Sequence, residues 1–265
     1  MFDMMSQARN AIEAYNIALR ASSSNIANMN VTGYKRLDVS FQSIFERVLS
    51  RGTAAEGNLG GTNPRQLGQG MAISNVSVDF SAGETIDGAK TDLAISGQGL
   101  FILSPDGGNS YLYTRSGNFQ IDLYGNLTSN GMQVYGLDSS GNLVPISNLP
   151  SGNKNDYEWQ SDGTLLYQGN PTGYRVALTY FSNPGGLAQA QGTAFAETPA
   201  SGSPADAQAP GGATGILLRE KLEQSNVFYL GETIDALELQ RAMSSNLTVI
   251  SMASDMISQF INRLS

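Results

Sequence analysis

The stretch SSSNIANMNVTGYKR, residues 22–36, decides how this chain is organised. It ends a segment with helical apolar spacing, yet it is rich in asparagine and contains a glycine near its end. Asn25, Asn28 and Asn30 can hydrogen-bond backbone groups that a helix leaves unpaired at its end. Gly33 can adopt the left-handed conformation that turns a chain away from a helix axis. The stretch therefore predicts a joint that ends a helix and redirects the chain.

The segment before the joint predicts a helix with two apolar faces. The first face repeats every three or four residues, which is the spacing of a coiled-coil seam. Its members, interrupted only by Ser22, are Met5, Ala8, Ile12, Tyr15, Leu19, Ile26 and Met29. A second stripe has small side chains that would let another helix approach closely. It consists of Ala11, Ala14, Ala18 and Ala21.

The C-terminal segment repeats this pattern and also predicts a helix. Thr233 is the candidate N-cap, with acidic residues beside it at the positive end of the helix dipole. The first face, interrupted by Ser254, consists of Met243, Leu247, Ile250, Ile257, Ile261 and Leu264. The adjacent stripe consists of Val249, Ala253, Met256 and Phe260.

Two helices of an ordinary domain could bury such faces in their own core. Here the helices lie at the two ends of the sequence, and each has a second stripe that one antiparallel partner could not cover. We therefore predict that the helices also contact other copies of the chain. The candidate assembly interface consists of both seams together with Phe260.

The sequence between the helices predicts a β domain. Short alternating runs, such as DLAISGQGLFIL at 92–103 and LTSNGMQVYGL at 127–137, are separated by Asp-Gly and Asn-Gly turn signals. The Gly-rich and Pro-rich stretches at 51–70 and 198–215 predict mobile or extended connectors. The expected fold is α+β: N- and C-terminal α-helices paired as a coiled-coil-like domain, with a central all-β domain. The expected bounds are 1–35 with 226–265 for the helices, 36–80 for an extended arm and 81–225 for the β domain.

Composition excludes several functional classes. The net charge of −8 argues against a nucleic-acid surface. The chain has no cysteine and no histidine, so it has neither a disulfide framework nor a Cys/His or Ser/His/Asp catalytic arrangement. No apolar run is long enough for a membrane span, and no secretory signal is recognisable. We expect no membrane insertion and no cofactor.

Three patterns could still carry chemistry, and each has a plainer interpretation. Trp159 beside Glu158 could stack on a sugar in a glycosidase, but sequence alone cannot place a catalytic carboxylate pair. Gly97-Gln98-Gly99 is part of a phosphate-loop pattern without the following lysine, so we interpret it as a turn. The segments 122–126 and around Asp138 lack calcium-loop spacing, so we predict hairpin turns there. We expect no enzyme activity and no catalytic or metal-binding residues.

The motifs in this chain resemble the axial proteins of the bacterial flagellum, the rod and hook family. The N-terminal signature of that family reads approximately N-N-[LI]-A-N-x-x-T-x-G-[FY]-K, and Ser24 and Val31 depart from it. The matching residues are Asn25, Ile26, Ala27, Asn28, Gly33, Tyr34 and Lys35. Residues 92–101 and 113–136 resemble the family's core β motifs. Near the C-terminus, the residues that fall where the family's terminal helix carries such residues are Ser225-Asn226-Val227, Gln240-Arg241-Ala242, Asn246 and Asp255-Met256, whereas Phe228 and Met243 depart from the pattern.

The resemblance implies a structural role in the flagellar basal body. The terminal helices would line the channel of a helical homo-oligomeric tube that transmits torque and surrounds the export path. Adjacent rod and hook proteins, and surrounding ring proteins, would be partners after export through the flagellar type III apparatus into the cell envelope. A distal rod protein is the first choice because residues 50–70 resemble the arm of such subunits. A proximal rod protein is second and a short hook protein is third; outside the family, the alternative is a secreted coiled-coil oligomeric binding protein or adhesin.

Overall fold

The chain forms helices at both ends and a mostly β structure between them, which confirms the predicted α+β class. A computed structural model describes residues 2–44, 47–50, 61, 63, 65–68 and 70–264. The chain divides into two compact units. Unit 1 comprises the described parts of 1–26, 37–76 and 229–265, and unit 2 comprises 27–36 and 77–228.

Unit 1 contains the two helices and two short strand pairs. Helix α1 spans Phe2–Ala27 and helix α2 spans Tyr229–Leu264. Strand β1 (Leu37–Ser43) pairs with β4 (Met71–Val78), and β2 (Arg47–Ser50) pairs antiparallel with β3 (Arg65–Leu67). The predicted arm at 50–70 falls largely outside the described residues, and its described part contains β3.

Helix α2 begins earlier than the sequence suggested. The predicted N-cap, Thr233, is wrong because the helix already starts at Tyr229. The Thr233 hydroxyl donates a 2.9 Å hydrogen bond to the Leu230 carbonyl within the first turn. A threonine inside a helix can bond back to the preceding turn in this way, so its presence does not mark a boundary.

Unit 2 is built from one large antiparallel sheet and two strand pairs. The 12-stranded sheet follows the order β13-β14-β15-β11-β7-β8-β18-β17, with β9, β10, β12 and β16 attached beside this path. The separate pairs are β6 with β19 and β5 with β20. The strand bounds are β5 Thr85–Asp87, β6 Leu93–Ser96, β7 Leu100–Ser104, β8 Leu112–Thr114, β9 Gln120–Ile121, β10 Leu127–Ser129, β11 Met132–Leu137, β12 Leu143–Pro145, β13 Tyr157–Trp159, β14 Thr164–Tyr167, β15 Asn170–Val176, β16 Leu178–Thr179, β17 Ala188–Gln189, β18 Ala194–Ala196, β19 Ile216–Arg219 and β20 Lys221–Glu223.

Aromatic residues fill the centre of unit 2. The Phe119 ring packs edge-on against Phe101 and Trp159, with centroid distances of 5.0 and 6.1 Å. Trp159 is only 1% exposed, and its indole nitrogen donates a 2.9 Å hydrogen bond to the Thr91 carbonyl. Trp159 is therefore a core residue, and the idea that it stacks on a sugar is wrong.

The two aspartate-containing segments form the predicted hairpin turns. Residues 122–126 (DLYGN) join β9 to β10, and residues 138–142 (DSSGN) join β11 to β12. In each loop the aspartate carboxylate accepts hydrogen bonds from the backbone two and four residues later and from the asparagine side chain. The carboxylates thus cap backbone donors of their own turns.

The segment 198–215 is extended, but it does not connect two domains. Gln208 forms an antiparallel bridge with Leu178, and the Thr179 hydroxyl donates a 2.6 Å hydrogen bond to the Ala205 carbonyl. Thr214 is buried, and its carbonyl accepts a 2.8 Å bond from the Gly99 nitrogen. Gly97 to Gly99 form a turn beside it, as predicted. The second predicted connector is thus part of the β unit.

Candidate assembly surface and its anchor

The joint after α1 uses asparagine to bond backbone groups, but over a longer range than predicted. The buried Asn25 amide nitrogen donates to the Leu37 carbonyl at 3.0 Å, and its oxygen accepts from the Leu37 nitrogen at 2.9 Å. One side chain thereby pairs with both backbone groups of the first residue of β1. Asn25 therefore holds the start of β1 against the last turns of α1.

Gly33 turns the chain at a point where the backbone packs closely against Ser116. Its φ is +70°, in the left-handed region predicted from the sequence. A Cβ at this position would lie 2.6 Å from the Ser116 Cα and would collide with the Ser116 nitrogen. The Gly33 nitrogen donates a 2.8 Å hydrogen bond to the Glu223 carbonyl. Glycine is thus required both by its conformation and by the missing side chain.

Three backbone segments of unit 2 are tied together by a closed set of hydrogen bonds. The Arg36 nitrogen donates to the Asn226 side-chain oxygen, and the Asn226 amide nitrogen donates to the Asp79 carbonyl, both at 2.8 Å. The Asp79 nitrogen donates back to the Arg36 carbonyl at 2.8 Å. Each of these residues lies near a point where the chain crosses from one unit to the other. The ring therefore fixes, within unit 2, the points from which the chain leaves for β1, β4 and α2.

A buried ion cluster lies beside this ring. Lys35 is 1% exposed, and its ammonium group donates to a Glu223 carboxylate oxygen at 2.5 Å and to the Ser81 carbonyl at 2.7 Å. The other Glu223 carboxylate oxygen lies 3.5 Å from an Arg115 guanidinium nitrogen. Arg115 also donates to the carbonyls of Ile95 and Gly97. Charged groups are tolerated in such a core only when they are paired and hydrogen-bonded.

The charges of this cluster perturb one another. Burial lowers the pKa of Lys35 from its ordinary value, and the nearby Glu223 carboxylate opposes this effect. Burial also lowers the pKa of Arg115. Two cations share one buried carboxylate, so Glu223 is the group on which the cluster depends.

The most buried face of α1 is the alanine stripe. Within the described chain Ala8, Ala11, Ala14, Ala18 and Ala21 are all buried. The remaining seam residues are half-buried, namely Met5, Ile12, Tyr15, Leu19, Ile26 and Met29. Strand β1 covers part of this seam inside unit 1, since the Tyr15 ring packs edge-on against Phe41 at 6.1 Å.

Helix α2 leaves much of its apolar surface uncovered in a single copy. Met243, Ile250 and Ile257 of the predicted interface are half-buried. The exposed members are Leu247, Phe260, Ile261 and Leu264. Ala11 and Tyr15 of α1 and Asn246 and Val249 of α2 line the same groove of about 380 Å³. Ala253 in the same half of the helix is buried, so the exposed apolar surface of α2 is the face that carries Leu247, Phe260, Ile261 and Leu264.

We call the joint at Asn25 and Gly33, the hydrogen-bond ring and the Glu223 ion cluster together the anchor. Some signature residues lie in this anchor, and others lie on the surface. Asn25, Gly33, Tyr34 and Lys35 are buried, and Asn28 and Ile26 are half-buried. Ala27, Gln240 and Arg241 are exposed. Glu223 and Arg115 were not among the candidate site residues. Lys35 lies within the signature, and only 14% of the residues in this chain are charged. This lysine was the signal in the sequence that pointed to a buried acidic partner.

Two family models match separate parts of the chain. The model of the "Flagella basal body rod protein" family matches residues 5–35, and that of the "Flagellar hook protein FlgE/F/G D1 domain" matches residues 94–167. The flagellar basal-body rod protein FlgG of Bacillus subtilis is 31% identical over 245 residues, which is 90% of each chain. The chain belongs to the flagellar rod and hook protein family. It is therefore a structural protein of that family, and the reading as a secreted adhesin is set aside.

Other members of the family show how far the similarity extends. FlgG of Caulobacter vibrioides is 33% identical over 258 residues, covering 94% of this chain and 95% of the relative. The flagellar hook protein FlgE of Helicobacter mustelae is 41% identical over 125 residues, covering 46% of this chain and 28% of the relative. Similarity to rod proteins thus extends over nearly the whole chain, whereas this hook protein matches about half of it. Among the described residues, no helix has the length and apolar character that crossing a membrane requires.

Proposed function

We propose that this chain is a subunit of the flagellar basal-body rod, in its distal part, and that it assembles with copies of itself into a helical tube. The observation that carries the proposal is the uncovered apolar surface of α2. Met252, Met256, Phe260, Ile261 and Leu264 are each between 44% and 73% exposed in a single copy. A contiguous apolar surface of this kind marks an interaction site.

A tube that transmits torque requires subunits that resist bending, and the anchor supports this role. The hydrogen-bond ring of Arg36, Asp79 and Asn226 holds three departing segments together, and the Glu223 cluster fills the space beside it. Buried polar groups that are hydrogen-bonded to one another favour one arrangement of the backbone over others. Helices attached to such a base could line a central channel for exported proteins.

Similarity along the chain favours the distal rod over the alternatives. Relatives named FlgG, the distal rod protein, align over 90% or more of this chain. The Helicobacter hook proteins align over half of it or less. A proximal rod protein is the second candidate within the family. Adjacent rod and hook proteins, and rings around the rod, are the expected partners after export into the cell envelope.

Deleting the gene from the source bacterium tests the proposal. We expect purified hook–basal bodies from the deletion strain to lack the distal rod and the hook, and the wild-type chain to restore both. The double variant Phe260→Ser/Ile261→Ser should not restore them, because it removes apolar contact from the exposed face of α2. Gln259→Ser changes an exposed polar residue of the same turn and should restore them. A complete rod in the deletion strain would overturn the proposal.

A further inference from the structure

The two five-residue hairpin turns of unit 2 share one geometry but differ at their tips. In the first turn the Asp122 carboxylate accepts from the backbone nitrogens of Tyr124 and Asn126 at 2.8 Å each. In the second, Asp138 accepts from Ser140 and Asn142 at 2.8 and 2.9 Å. The glycine at the fourth position has a positive φ in both, +78° and +84°. The two tip positions carry Leu123-Tyr124 in one turn and Ser139-Ser140 in the other.

The apolar tip of the first turn is not needed to form that turn. Ser139 and Ser140 occupy the same positions in a turn with the same hydrogen bonds. Leu123 is 100% exposed and Tyr124 is 84% exposed. Such a pair gains nothing from folding of a single copy, since neither side chain buries appreciable surface. Tyrosine is enriched among the residues that contribute most to binding at protein interfaces, and this hydrogen-bonded turn holds one exposed.

The second turn borders a groove on the same unit. The groove has a volume of about 440 Å³ and is lined by Ser139, Ser140 and Gly141 on one side and by Tyr174 and Arg175 on the other. The small serine tip leaves the groove open. The Arg175 side chain is half exposed and lies 3.6 Å from Asp162, which places a guanidinium group at the groove.

We propose that the Leu123-Tyr124 tip of one copy inserts into the groove beside the Ser139-Ser140 turn of the next copy. The proposal rests on the proposed function, because it needs neighbouring copies in a tube. The tip and the groove consist of different residues of one chain, so each copy can give its tip to one neighbour and its groove to another, and the contact can repeat without closing, as a helical assembly requires. It would join β units, independently of the terminal helices.

The chemistry of the groove suits this occupant. A tyrosine ring gains from a guanidinium group over its face, which Arg175 can supply, and from edge-on packing with another tyrosine ring, which Tyr174 can supply. Leu123 would lose water-exposed apolar surface on insertion. Leucine and tyrosine side chains are compatible with a groove of this volume.

The absence of cysteine from the chain allows a clean cross-linking test. The double variant Tyr124→Cys/Ser140→Cys would be produced in the source bacterium, and its hook–basal bodies would be oxidised and separated by non-reducing electrophoresis. We expect a ladder of dimers, trimers and longer products, because each copy contributes its tip to one contact and its groove turn to another. The control pair Tyr124→Cys/Ala190→Cys places the second thiol on an exposed residue distant in sequence from the groove turn and should give no ladder.

The outcomes separate this inference from the function on which it rests. A chain present in basal bodies but without a ladder would overturn the proposed contact alone. Cross-links from Tyr124→Cys to a different basal-body protein would also overturn it and would make that protein the occupant. Absence of the wild-type chain from basal bodies would overturn the proposed function and this contact with it.

A second variant tests the contact without introduced thiols. Leu123→Ser/Tyr124→Ser copies the tip of the second turn, so its thermal unfolding should match the wild type. Its incorporation into basal bodies should fall about tenfold or more, as expected when central anchor residues are removed from an interface. Wild-type incorporation of this variant would contradict the proposal.

Discussion

At the scale of single residues, the anchor depends on positions where only one side chain fits. Gly33 has the left-handed φ of many turn glycines, but it also lies against the backbone of Ser116. Gly107 has nearly the same φ, +72°, with no atom near the site of a Cβ. The two glycines therefore separate the effect of conformation from the effect of close packing.

Replacing each of these glycines by alanine should give different losses of stability. Gly107→Ala should lower the free energy of unfolding by about 1–2 kcal/mol, the usual cost of a left-handed L-residue. Gly33→Ala should cost about 1–3 kcal/mol more, because the new methyl group must displace backbone. Chemical denaturation of the purified chains measures both values. Equal losses would show that Gly33 is needed only for its conformation.

Glu223 is the second residue with a decisive role, because its carboxylate pairs with both Lys35 and Arg115 in the cluster. Glu223→Gln should lower the free energy of unfolding by about 3–5 kcal/mol, the range found when a buried ion pair loses one partner. Glu220→Gln, at an exposed position three residues earlier, should change it by less than about 0.5 kcal/mol. If the two variants unfold alike, the cluster does not stabilise the anchor.

At the scale of elements, the hairpin turns and terminal helices show what a local pattern can predict. The DLYGN and DSSGN turns were predictable because aspartate, glycine and asparagine each satisfy a local backbone requirement. The existence of α1 and α2 followed from apolar spacing. The start of α2 did not, because a threonine can bond either as a cap or inside a helix. The burial of the alanine stripe of α1 depended on contacts that spacing alone does not specify.

The turns predict how stability responds to acid. Hydrogen bonds from the Asn142 backbone, together with those from the Asn142 side chain and Ser140, lower the pKa of Asp138 below its ordinary value of 3.8. A lowered folded-state pKa stabilises the protein above the unfolded value, and this contribution is lost as pH falls through the folded pKa. Stability should therefore decline below about pH 4, and Asp138→Asn should decline less steeply. Urea midpoints from pH 6 downward measure this, and parallel curves would contradict it.

The terminal helices predict a coupling between assembly and folding. A helix with uncovered apolar stripes is marginal alone in water, because packing supplies most of its stability. We expect amides of the last turns of α2 to exchange rapidly in the isolated chain and slowly in purified basal bodies. Amides of β7 and β11, in the core of unit 2, should be protected in both. Slow exchange of α2 in the monomer would contradict the coupling.

At the scale of the whole molecule, the sequence motifs predicted the family and the order of helix, β domain and helix. The anchor was only partly predictable: Asn25, Gly33 and Lys35 lie in a signature, whereas Arg115 and Glu223 come from segments 80 and 188 residues away from Lys35. Their convergence is set by the sheet topology, which no local pattern encodes. The same holds for the groove at Tyr174, which exists only after β15 joins β11.

Cryo-electron microscopy of hook–basal bodies from the source cells tests the central claim most directly. We expect this chain to fit density in the straight distal segment of the rod, in many helically related copies whose α1 and α2 face the central channel. Density for the chain only in the curved hook, or in no part of the axial structure, would contradict it.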